Sequence, residues 1–195
     1  MDLTPYTQIH TMEAFYAFKD RYHVEGDIRP EGIAHVRDLI GQFAVPVEYG
    51  LSRYGGSTYW QPSPEAMKRF DVVVSVLYDR MTGKRTVERL LTRDEVILTG
   101  FRLPPITSDM HYAIALHEFG HASLHLTHGP LIASSEISAC RWALDNARYW
   151  TRAMSHGLLV GLWTYVDPSQ SFRQKHTVAE FEAFAARIEA RELRG

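Results

Sequence analysis

The chain is short of three things: cysteine, net charge and long apolar runs. Its one cysteine, Cys140, cannot close an internal disulfide, which excludes a disulfide-stapled secreted scaffold and fits a reducing compartment. The balance of 21 Lys+Arg against 23 Asp+Glu, a formal charge of −2, gives no electrostatic reason to expect a nucleic-acid or anionic-membrane partner. The longest apolar candidate, Gly157 to Val166, falls far short of the ~20 residues of a membrane span. The opening residues, Met1-Asp2-Leu3-Thr4-Pro5, have neither the basic nor the apolar region of a signal peptide. A cytoplasmic protein is therefore expected. No repeat, low-complexity tract or charge block marks a linker, so residues 1–195 read as one domain, long enough to bury its own core.

Histidine is what the chain has in excess: there are ten, and five of them lie between His111 and His128. Around that cluster the chain divides into four stretches. Residues 1–44 predict N-terminal helices, Thr11 to Val24 with Phe15, Phe18 and Tyr22 at helical spacing, and Arg29 to Phe43 with Pro30 in its first turn. Residues 45–103 predict a small antiparallel sheet. Its strands fall at Val45–Tyr49, Thr58–Trp60, Asp71–Arg80, Thr86–Leu91 and Glu95–Thr99, with a hairpin turn at Met81–Lys84, and Pro104-Pro105 stops it. Residues 104–155 predict two helices, one capped by Ser108 or Asp109 and running to about His128, the next opened by Ser134-Ser135 and running from Glu136 to about Ser155. Residues 156–195 form a C-terminal helical segment that contains a capping box, Thr177-Val-Ala-Glu180. Helices, then strands, then helices predict an α+β fold.

On the long helix stands His117-Glu118-Phe119-Gly120-His121, the H-E-x-x-H pattern. Four residues are just over one helical turn, so both imidazoles leave the same face about 6 Å apart along the axis and can reach one Zn2+ ion at about 2.0–2.1 Å. Glu118 sits one position round, where its carboxylate can take a proton from water that the metal has acidified and pass it to a leaving amine. The bland alternative is a helix whose histidines merely pack or face solvent.

A catalytic zinc usually has three protein ligands and one open position. The metzincin form of the motif fails here, because Leu124 and Thr127 stand where its Gly and third His belong, and His128 misses by one residue. His125 shares the face of His117 and His121, but three ligands in line on one rigid helix cannot surround an ion, so His125 is expected just outside the ligand set. Glu136 is the only acidic residue between His121 and Asp145, at the start of a helix able to fold back on the first. Ala139 and Ala143 behind it form a stripe of small residues that lets the two helices approach closely. An acidic residue is also favoured at any helix N-terminus, which is the competing reading of Glu136. Cys140, on the face of Glu136, reads as a buried small side chain near the metal before it reads as a ligand.

The segment His117-Glu-Phe-Gly-His-Ala-Ser-Leu-His125, followed by Glu136-Ile-Ser-Ala-Cys-Arg-Trp-Ala143, resembles the ImmA/IrrE group of gluzincin-type metallopeptidases, whose pattern is H-E-x-G-H-x-x-L-H and then E-x-E-A-N-x-F-A. The resemblance covers Ile97 to Ala143. It implies that His117, His121 and Glu136 bind zinc, that Glu118 is the general base, and that the fold is zincin-like. It also implies a sheet edge, here Val96 to Phe101, that accepts an extended protein or peptide substrate. Family members act on regulators of phages and mobile elements. Three positions depart from the pattern: Ser138, Cys140 and Trp142 replace its second Glu, its Asn and its Phe.

Stabilisation of a developing oxyanion calls for a further donor, and His156, Tyr149, Arg148 and Arg152 are the candidates beyond Glu136. Tyr54, Tyr59 and Trp60, beside Gly55-Gly56, read as sheet packing or as a lip over the site. These readings add up to a zinc metalloendopeptidase as the expected function. The alternative is a catalytically silent module of the same fold that serves binding or assembly in a phage or mobile element.

Overall fold

The computed structural model describes residues 1–23, 27–50, 53–67, 95–128, 135–167 and 176–194. In chain order its elements are α1 (Thr4–Thr7), α2 (Met12–His23), α3 (Pro30–Phe43), β1 (Val47–Tyr49), β2 (Ser57–Pro62), α4 (Pro64–Met67), β3 (Val96–Leu103), α5 (Asp109–His128), α6 (Glu136–Asn146), α7 (Arg152–Trp163) and α8 (Val178–Glu192). The architecture is mixed α+β, as the order of patterns predicts. The strands expected over 71–80 and 86–91, the turn at 81–84 and the turn at 129–130 lie outside the described residues.

Local chemistry sets most of the boundaries. Pro30 opens α3, and Ala44 in the left-handed region, φ 52°, closes it with its amide on the Ile40 carbonyl. β3 ends at Leu103, where Pro104 can no longer donate to a ladder. Of the two candidate caps for α5 it is Ser108 whose hydroxyl accepts from the His111 amide, at 3.3 Å. Ser135 caps α6 by accepting from the Ser138 amide, and the Thr177–Glu180 capping box opens α8 with both of its bonds formed.

The sheet departs from expectation. Its order is β1-β3-β2, with β1 parallel to β3 (Val47 opposite Phe101) and β2 antiparallel to it (Pro62 opposite Val96). A parallel pair needs a long crossover, and here all the chain between Tyr49 and Val96 supplies it; β1 and β2 lie on opposite sides of β3 and form no hairpin. β3 is thus the central strand. Along Val96 to Phe101 β2 pairs on one side, while on the other the pairing with β1 begins at Phe101, whose amide donates to the Pro46 carbonyl at 2.9 Å.

Helix α5 lies between the sheet and the remaining helices, packed against α3, α6, α7, β2 and β3. Tyr112, Leu116 and Phe119 from α5, Phe101 and Leu103 from β3, Met154, Leu159 and Leu162 from α7, and Phe181, Phe184 and Ile188 from α8 are the bulk of one continuous core. Each such side chain contributes about 1.5–3 kcal/mol by leaving water. A single helix from Glu136 to Ser155 does not form. The Tyr112 hydroxyl accepts from the Arg148 amide at 3.2 Å, the Tyr149 hydroxyl turns in to donate to Asp109 at 2.8 Å, and the chain leaves helical geometry at Ala147 before α7 begins. Among the described residues no helix is long and apolar enough to cross a membrane.

Candidate metal centre

Helix α5 supplies His117, Glu118 and His121, and α6 supplies Glu136. The two helices can bring these groups together because residue 120 is glycine. A Cβ there would stand 2.8 Å from the Ala139 carbonyl oxygen and 3.1 Å from the Ala139 Cα, so only a hydrogen fits between the helices. The small-residue stripe read from the sequence is this contact, with Ala139 and Ala143 fully buried.

At the cleft end of the contact the donor atoms of His117, His121 and Glu136 all lie within 4.8 Å of one another. Glu136 Oε2 is 3.3 Å from His117 Nε2 and 3.5 Å from His121 Nε2, and the two Nε2 atoms are 3.0 Å apart. Burial pushes the Glu136 carboxyl up, but hydrogen bonds from both histidines and their charge outweigh it and hold the group well below the usual carboxylate range. Two imidazole nitrogens and one carboxylate oxygen converging on a point are the donor set of a catalytic zinc, and the residues present fit such an ion.

Glu118 stands beside this cluster, buried at 6% exposure. Burial raises its carboxyl above the ordinary value, against the lowering pull of His117, of His121 and of a hydrogen bond from Thr58. The Thr58 hydroxyl lies 2.8 Å from Glu118 Oε2 and 2.9 Å from the Glu118 carbonyl oxygen and can donate to either. Gly56 covers the same carboxylate from above: a Cβ there would stand 2.5 Å from Glu118 Cγ and 2.6 Å from Oε1. The sequence placed Gly55-Gly56 beside an aromatic lip and Thr58 at the start of a strand but linked neither to Glu118, because the contact joins segments about 60 residues apart.

Cys140 is buried beside the cluster, its Sγ 3.3 Å from His117 Nδ1. Burial, then Glu136 and Glu118, push the thiol well up, so it keeps its proton, and an Nδ1–H donated to sulfur leaves Nε2 free to face the cluster. His125 does not support the ligands. It packs on Trp60 at 4.2 Å between ring centroids, and its Nε2–H donates to the Val96 carbonyl at 3.3 Å, a turn too far along α5. His111 is structural as well, donating to the Arg53 carbonyl at 2.8 Å. The side chain of His128 lies outside the described residues.

The oxyanion candidates fail on position. His156 is enclosed by Tyr6, Phe18 and Tyr22, with the Tyr6 hydroxyl 2.9 Å from its Nδ1, and burial holds its imidazole down to about 4. Tyr149 is tied to Asp109 and stacked on Tyr112, and Arg148 pairs with Asp38 at 3.6 Å on the surface. Neither these nor the exposed Arg152 line the cleft.

The cleft itself has a volume of about 670 Å3 and runs from Glu118, His121 and Glu136 past Tyr54, Gly55 and Trp60 to a far wall built by α2 and α7. Lys19 and Tyr165 on that wall carried no signal in the sequence, since a lone lysine in an amphipathic helix reads as a solvated face. Comparison of the chain with protein-family models, with curated proteins and with solved structures finds no match.

Proposed function

We propose that the chain is a zinc-dependent metalloendopeptidase that hydrolyses a peptide bond held in this cleft. The reading rests on one observation above the others: His117, His121 and Glu136 converge as a ligand set, while Glu118 is buried next to them without joining them. Zinc suits two imidazoles and a carboxylate, whereas calcium and magnesium take shells of oxygen. Bound there, it supplies Lewis acidity to a carbonyl and to water. Glu118 takes the proton of the attacking water and returns it to the leaving amine; its desolvated carboxylate is a stronger base than an exposed one. Thr58 and Gly56 fix the direction in which that carboxylate points. Cys140 fixes the ring of His117. The resemblance noted above extends the proposal to regulators of phages or mobile elements as substrates.

Zinc content and hydrolysis of unfolded casein test the reading together. One zinc per chain is expected, lost in His117→Ala and in Glu136→Ala, with hydrolysis that a chelator stops and added zinc restores. A metal-loaded chain that cuts no polypeptide, or a chain equally active after chelation, overturns it.

A further inference from the structure

Helix α2 carries a cation into the cleft that the proposed hydrolysis does not use. Lys19 is only 2% exposed, yet it lines the same cavity as His117 and Glu118. Its Nζ donates to the Tyr54 carbonyl at 3.1 Å and lies 4.6 Å from the centroid of the Phe15 ring and 5.8 Å from that of Tyr54. Among the described residues it has no carboxylate partner. The titratable group whose charge would act on it is the Cys140 thiol, which burial keeps protonated.

An ammonium has three donors, and one carbonyl takes one of them. Two ring faces offset part of the several kcal/mol that desolvating the charge costs, but they do not replace an anion. Met12, Phe15, Leu158 and Leu162 give the cavity an apolar part of its lining, beside the polar Thr164 and Tyr165. Among the described residues the two acidic groups in the cleft, Glu118 and Glu136, are held by Thr58 and by the histidine pair. A buried amine that gains its full charge when an anion joins it, in a partly apolar cavity, matches a single negative charge carried on an apolar chain. It does not match a phosphate, which would call for several donors, and among the described residues no arginine lines this cavity.

We propose that Lys19 determines specificity by binding a carboxylate of the peptide in the cleft, from either an acidic side chain or a free C-terminus. The inference rests on the reading of the cleft as a peptide site. Zinc-loaded Glu118→Gln protein, which should bind without turnover, provides the test by calorimetry. The probes are blocked pentapeptides of Leu and Ala carrying one Glu at each position in turn, their Gln counterparts, and the unsubstituted pentapeptide as free acid and as amide. At one Glu position, or for the free acid, binding is expected about tenfold tighter than for the neutral partner, a difference of about 1.4 kcal/mol. Adding Lys19→Met should remove the preference and Lys19→Arg should keep much of it, with zinc content and melting temperature checked in each. A Glu advantage identifies a side chain as the source and a free-acid advantage a C-terminus. Peptides that bind with charged-to-neutral ratios below threefold, or a ratio unchanged by Lys19→Met, overturn this inference alone. No binding of any peptide overturns the reading of the cleft, and this inference with it.

Discussion

Glu118 is shaped by two neighbours that do not touch the ligand cluster. Gly56 leaves the carboxylate the space that any side chain there would fill, and Thr58 supplies the hydrogen bond that favours its charged form. Removing that hydroxyl should raise the affinity of Glu118 for its proton. Because the base must be deprotonated to act, activity is lost as pH falls through its titration. Thr58→Val is therefore expected to move the acid limb of kcat/KM upward by about one pH unit, which is 1.36 kcal/mol of favoured ionisation removed. A pH–rate profile that does not move would dissociate Thr58 from the base. Lys19 gives a second residue-scale expectation, through stability. Burial holds its ammonium down to about 7, below the ordinary 10.5, so between these values the unfolded chain binds the proton that the folded one has lost. Stability therefore rises with pH across that window and is penalised in full below it. Denaturant titrations should show the native chain gaining on Lys19→Met by up to about 1.4 kcal/mol per pH unit from pH 7 upward. Parallel curves for the two proteins would show that Lys19 is not desolvated.

At the scale of elements, the site is a docking of α6 on α5 made possible at Gly120. A side chain there must displace the Ala139 backbone and with it the start of α6, which carries Glu136. Gly120→Val should cost roughly 1–3 kcal/mol of stability, as overpacking does, and should lower zinc affinity more than a surface substitution on α5. Isothermal titration with zinc and a thermal melt measure both. Much at this scale was legible in the sequence: α5 from its cap, Glu136 as the lone acid after a turn, and the Ala139–Ala143 stripe. What was not legible depends on partners remote in the chain. β-Branched and aromatic runs announced strands but could not say that β1 and β2 flank β3 on opposite sides, because strand pairing is chosen by what packs beneath. The break between α6 and α7 is set by the hydroxyl of Tyr112, some 36 residues before the amide that it accepts from.

At the scale of the molecule, residues distant in sequence close the cleft. The H-E-x-x-H segment marked the candidate ligands, while the walls come from α2 near one end of the chain and α7 near the other, with the loop before β2 over Glu118. Candidates picked by residue type alone, His156 and Tyr149, ended buried and outside the cleft lining. A donor's usefulness depends on where the fold aims it, and neither residue had a pattern around it that encoded direction. The same closure brought Lys19 to the site from a helix that sequence alone read as ordinary.

The account stands most directly on Glu118. Zinc-loaded native protein and Glu118→Gln, matched for metal content and melting temperature, should be compared for casein hydrolysis. The account predicts equal zinc, equal folding, and a loss of at least 100-fold in rate for the glutamine variant, in keeping with the contribution of a general base. Equal rates in the two proteins would contradict it.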